Sequence, residues 1–268
     1  MKEKIQAKPI AYSIIFTIIL SLSWGISTSF IQNRLEHLEV QLLSLLISAT
    51  TVVFATLAIF LLGVINHTCG FKHVFRREGF AKGCFALLPV MAFFVLTFVI
   101  NSSGSMELKS GNLGLFPFIV LEEMTSAFVQ TILFRGLLIS ALFIGKSSTE
   151  SERVRSVFKG AALFWTMYAL IGILDSESLP FMQLVNTFIV SAGVCSAYMY
   201  SRNLLSLVLV QGAWQALGSV LNLLSVNGYA YAGSQLTPPV AVVYVVILIA
   251  IVVFAVVFSR RAERFQTP

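Results

Sequence analysis

Eight apolar runs dominate the chain, near residues 10–32, 40–65, 80–102, 113–145, 157–174, 181–201, 206–225 and 239–259. A helix needs roughly 20 apolar residues to cross about 30 Å of hydrocarbon, and these runs meet or approach that length. No polar stretch between them exceeds roughly fifteen residues, so no separate soluble domain fits in the gaps. Composition agrees: 57% of residues are hydrophobic and 11% are charged, whereas soluble domains sit near 45–50% and about 25%. The expected fold is all-α: one polytopic membrane helix bundle, residues 1–268, with about eight transmembrane helices.

Charge placement sets the expected orientation. Lys2, Lys4, Lys8, Lys72, Arg76, Arg77, Lys82, Lys146, Arg153, Arg155, Lys159, Arg202, Arg260, Arg261 and Arg264 fall on one side of the segmentation. Only Arg34 and Lys109 fall on the other. Positive residues remain cytoplasmic, so both termini are expected inside, in a plasma membrane. The net charge of +6 then reflects orientation and contact with anionic lipid, and no nucleic acid partner is implied. The basic, then apolar, start resembles a signal peptide. Its apolar run is long for one and lacks a small-x-small cleavage site, so a retained first helix is expected.

Metal and redox chemistry find little footing. Cys69, Cys84 and Cys195 are far apart and lack C-x-x-C spacing, and they read as small apolar residues. His37, His67 and His73 all fall in loops. An intramembrane zinc site built from histidine is therefore not expected, and no cofactor is implied. Ser191, Ala192, Gly193, Ser196 and Ala197 give the sixth segment a small-residue face suited to close packing.

The fourth segment is too long for one perpendicular span, so a tilt, kink or partial exit is expected. It also holds Glu122, Glu123 and Arg135. Charge inside a membrane helix is costly and marks a candidate site by default. Glu123 and Gln130 are seven residues apart and share a helix face. Glu123 and Arg135 are separated by roughly 18 Å along a straight helix, too far to pair. The plainer alternative makes Arg135 a packed or snorkelling anchor and puts the glutamates in a wet pocket.

The stretch Gln130-Thr131-Ile132-Leu133-Phe134-Arg135-Gly136 resembles the first motif of the CAAX protease and bacteriocin-processing (CPBP, or Abi) family. That motif reads Glu-Glu-x-x-x-Arg. The family's later Phe-x-x-x-His and His-x-x-x-Asn/Asp spacings recur at Phe164 to Tyr168 and at Gln211 to Gln215. The resemblance covers about residues 80–225. It implies an eight-helix intramembrane endopeptidase fold, in which a glutamate activates water and histidines assist. Here those positions hold Gln130, Thr131, Tyr168, Gln211 and Gln215, while Phe134, Arg135, Gly136 and Phe164 keep the pattern. An amide cannot abstract a proton as a general base does.

The resemblance therefore implies a pseudoprotease. In it, Gln130, Thr131, Arg135, Phe164, Tyr168, Gln211 and Gln215 would line a polar pocket for a membrane protein or a lipidated or transmembrane peptide. Such relatives belong to the classes that give bacteriocin immunity or control envelope enzymes. One alternative is an active endopeptidase using Glu122 or Glu123 as a relocated acid. A second is a small permease or transporter-associated subunit, although no inverted repeat supports it.

Overall fold

The computed structural model describes residues 8–35, 37–65, 77–102, 114–139, 142, 149–174, 181–224 and 237–262. His67, His73 and Cys69 lie outside these residues, as do Lys2, Lys4, Lys72, Arg76, Lys109, Lys146 and Arg264. The described residues are helical, without strands. The helices are α1 (Pro9–Arg34), α2 (Val40–Ile65), α3 (Phe80–Ala86), α4 (Leu88–Ser102), α5 (Phe116–Gln130), α6 (Glu150–Leu174), α7 (Phe181–Ser201), α8 (Leu204–Leu224) and α9 (Pro238–Arg261). A π-helical stretch, Thr131–Ile139, continues α5 without a break.

Each apolar run of the sequence carries helix, but fewer than eight helices qualify as spans. Ile10–Arg34, Val40–Val64, Phe116–Ile139, Phe181–Ser201 and Pro238–Arg261 are long and apolar enough to cross a membrane. A sixth qualifies if α3 and α4, bent by 53° at Leu87, form one broken span. Pro89 lies just past that break, where its missing N–H and ring limit continuation of the preceding helix. The apolar part of α8, Leu204–Val220, is shorter. In α6, the first turns hold Glu150, Glu152, Arg153, Arg155 and Lys159.

Those charges make α6 begin about two turns before its apolar run. Thr149 and Glu152 close a reciprocal capping box. The Glu152 N–H donates to Thr149 Oγ1, and the Thr149 N–H donates to the Glu152 carboxylate, each at 3.3 Å. This satisfies donors that a helix start otherwise leaves open. Arg153 then ties the start of α6 to the end of α9, donating to the carbonyls of Ser259 at 3.2 Å and Arg260 at 2.7 Å.

Helix α7 is the inner pillar. It packs along α9 and α6, and every residue from Ser191 to Met199 is buried. A helix buried all round must keep small residues where neighbours approach closely. At Gly193, an added Cβ would lie 2.8 Å from both Ile251 and Val90. Helix α5 packs along α8 and α2. Gly212 permits the α5–α8 approach, because a Cβ there would meet Met124 Sδ at 2.5 Å and Ala127 at 3.3 Å. The outward faces of α1, α2 and α9 present large apolar side chains, among them Ile19, Phe30, Val53, Phe60, Val242 and Ile249. Contiguous exposed apolar surface of this kind suits lipid contact.

Candidate functional site

The π stretch sets the geometry of the site. In an α-helix, residues five apart point roughly 140° away from each other. Winding with i→i+5 bonds brings such residues toward a common face. Gln130 at the junction and Arg135 within the stretch both line one cavity of about 180 Å³. Helices α4, α6, α7 and α8 complete its walls, contributing Phe93, Phe94, Phe164, Tyr168, Gln183, Asn186, Gln211, Trp214 and Gln215 among others.

Gln130 is the hub of its polar side. Its Oε1 accepts from Gln211 Nε2 at 2.7 Å and from Gln215 Nε2 at 3.3 Å. Its own Nε2 donates to Ser126 Oγ at 3.2 Å. Gln211 and Gln215 are one turn apart on α8, so both amides reach the same acceptor across the α5–α8 seam. Tyr168 Oη accepts from Gln183 Nε2 at 2.7 Å.

The other wall is aromatic. Phe94 and Trp214 stack with centroids 4.5 Å apart. Phe164 meets Phe134 edge-on at 4.9 Å and holds the Arg135 guanidinium 4.5 Å from its ring centroid. That spacing falls within cation–π range. Arg135 is 2% exposed, so it is a buried residue and not a snorkelling anchor.

The structure thus brings Gln130, Arg135, Phe164, Tyr168, Gln211 and Gln215 around one cavity. Thr131 is fully buried but is not a lining residue, and its hydroxyl has no partner among the described residues. The pocket expected to be polar is mixed: amides and one guanidinium face an aromatic and aliphatic wall. Gln183, Asn186, Phe93, Phe94 and Trp214 were not singled out from the sequence. The i, i+3 spacing of Gln183 and Asn186 in an otherwise apolar run was a readable signal. The aromatic residues carried none, because 23 phenylalanines hide the few that face inward.

Glu122 and Glu123 do not line the cavity. Adjacent on α5, they point to different neighbours. Glu122 Oε2 accepts from Ser44 Oγ of α2 at 2.6 Å. Glu123 accepts from Ser219 Oγ of α8. Each carboxylate therefore has a hydroxyl donor from a helix packed against α5, an arrangement that lowers the cost of burying it. Among the described residues, no three His, Cys, Asp or Glu side chains come together as a metal set.

No protein-family model, curated protein or solved structure matches this chain.

The chemistry available at the cavity follows from its lining. It offers amide and phenol hydrogen bonds, one fixed positive charge and an apolar wall. Among the described residues that line it there is no carboxylate or imidazole, so none of these side chains is suited to activating water at neutral pH.

Proposed function

We propose that this chain is a CAAX-protease-like (CPBP, Abi-type) membrane protein that has lost hydrolytic chemistry. It acts by holding a transmembrane segment or lipidated tail of a membrane partner at the cavity between α4, α5, α6, α7 and α8. It crosses a bacterial plasma membrane eight times with both ends inside. The paired helices α3 and α4, the charged helix α6 and the short helix α8 supply the passes beyond the five long apolar ones. Arg77, Lys82, Arg153, Arg155, Lys159, Arg202, Arg260 and Arg261 all fall on the side assigned to the cytoplasm, which supports that orientation.

One observation carries the functional reading. Gln130, Gln211 and Gln215 stand where the family resemblance implies acid and base groups, and they bond to one another. A neutral amide cluster of this kind keeps a polar face inside an apolar bundle without supplying a base. The carboxylates nearest to it in sequence, Glu122 and Glu123, are engaged by Ser44 and Ser219.

The test is membrane proteomics with peptide termini mapped in three strains: parent, deletion, and Glu122→Gln/Glu123→Gln at matched expression. The expected result is that deletion changes the level or processing of a membrane partner while the double variant behaves like the parent. Loss of the same specific cleavage products in both mutant strains would overturn the reading in favour of a relocated-acid protease.

A further inference from the structure

Arg135 is the unexplained charge of the cavity. Its Nε and Nη1 are buried and meet no acceptor among the described residues. The Phe164 ring attracts the cation but leaves the N–H groups of Nε and Nη1 unused. The Cys195 thiol beside it is only a weak acceptor. Arg153, at the end of the same bundle, donates from Nε and Nη2 to two carbonyls. Arg135 reaches no carbonyl or carboxylate with Nε or Nη1 among the described residues, and an arginine does not shed its proton in a protein. A buried charge with two of its three nitrogens unmet among the described residues is among the more expensive features a fold can keep.

The surroundings define what would complete it. The missing group must be an acceptor, and an anion matches the guanidinium fork best. Asn186, Gln211 and Gln215 line the same space, each with a buried amide oxygen that has no donor among the described residues, so a small turn of these side chains would offer acceptors to a protonated head-group oxygen or a hydroxyl. Phe93, Phe94 and Trp214 line the same cavity and offer it mainly apolar surface. At about 30 Å³ per water, the cavity equals roughly six waters. That suits a head group and the first few methylenes, with the remaining chain leaving past the partly exposed Trp214.

We propose that the cavity binds an anionic amphiphile, with one phosphate or carboxylate head on the Arg135 guanidinium and its alkyl chain against Phe93, Phe94 and Trp214. This rests on the reading that the cavity binds and does not cleave, and it names the chemistry bound.

The test uses the full chain purified in neutral maltoside micelles, with Trp24→Phe and Trp165→Phe leaving Trp214 as the reporter. Brominated decyl phosphate and brominated decanoate are titrated against brominated decanol, and thermal midpoints are read with the unbrominated compounds and with inorganic phosphate. Both anions should quench Trp214 saturably and raise the midpoint. Decanol should do neither, and inorganic phosphate, lacking a chain, should leave the midpoint unchanged. A response to inorganic phosphate as strong as to decyl phosphate would overturn the role of the apolar wall.

Arg135→Gln should weaken anion binding about ten- to hundredfold, the worth of a hydrogen bond to a charged group, and Arg135→Lys should retain part of it. Equal response to decanol and decyl phosphate, or unchanged binding by Arg135→Gln, would overturn the proposal. If Arg135→Gln does not fold, the alcohol-against-phosphate comparison on the parent protein decides alone. Cleavage of a partner would overturn the binding reading without touching these titrations, and equal alcohol binding would overturn the anion site without implying cleavage.

Discussion

Near the middle of α5, Glu122 and Glu123 each receive a serine hydroxyl from a neighbouring helix, one from α2 and one from α8. In the π stretch that follows, Arg135 is more deeply buried and has two donor groups with no acceptor among the described residues. The two regions belong to one continuous rod, yet they treat charge in opposite ways. A carboxylate capped by a hydroxyl acts as an internal tie between helices. A guanidinium left open beside a cavity is stable only at a cost, and it marks where an outside group belongs. In this chain the half-buried acids tie helices together and the buried base lines the cavity.

That contrast can be broken most forcefully at the acids. Removing both ties, with Ser44→Ala and Ser219→Ala, should lower unfolding free energy by about 3–6 kcal/mol. Each change leaves a half-buried carboxylate short of a charged hydrogen bond worth about 1.5–3 kcal/mol, and ties to separate helices should be nearly additive. Unfolding in mixed maltoside and dodecyl sulfate micelles measures this. An unchanged midpoint would mean that water, and not serine, satisfies the carboxylates.

A smaller loss is expected at the seam between α5 and α8. Gln130→Leu removes the acceptor shared by Gln211 and Gln215, and the same assay should show about 1–3 kcal/mol of destabilisation. Gln211→Leu alone should cost less, since Gln215 still reaches Gln130.

Arg135→Met sharpens the comparison through its sign. Without added ligand, this variant should match the parent or exceed its stability by up to about 2 kcal/mol, because an apolar side chain of similar length removes an uncompensated charge. A clear destabilisation would show that the cation–π contact with Phe164 outweighs the burial cost. The smallest effect belongs to a neutral pair away from both regions. Trp24 Nε1 donates to Thr51 Oγ1 at 3.0 Å, and Trp24→Phe should cost about 0.6 kcal/mol by the same assay, the average for such bonds in a membrane protein.

Much of the helical outline was legible in the sequence, because apolar length is a strong signal. The run at 181–201 matches α7, and the run at 40–65 matches α2. The outline failed where the signal was polar. Helix α6 starts at Glu150 and not near 157, since its first turns are charged and the Thr149–Glu152 capping box carries no hydropathy. Of the eight expected spans, five or six are long and apolar enough to cross a membrane among the described residues: α3 and α4 divide at Leu87, α6 is diluted by charge, and the apolar part of α8 is short.

Site residues were legible as residue types and not as partners. Motif spacing led to Gln130, Arg135, Phe164, Tyr168, Gln211 and Gln215, and these do share a cavity. The π winding that turns Arg135 toward Gln130 has no sequence signature comparable to a proline or a cap. The divergence of Glu122 and Glu123 depends on which helices flank α5, a tertiary fact that adjacency in sequence does not encode. Thr131 fell on the wrong side of the rod for the same reason: one residue past Gln130, it rotates away from the cavity.

The most direct test of the contrast between capped acids and an open base is a cryo-EM map of the full chain in a lipid nanodisc containing decyl phosphate. The account predicts elongated density in the cavity, its head within hydrogen-bonding distance of the Arg135 guanidinium. Glu122 and Glu123 should remain on Ser44 and Ser219. An empty or collapsed cavity, or a glutamate carboxylate turned inward onto Arg135, would contradict it.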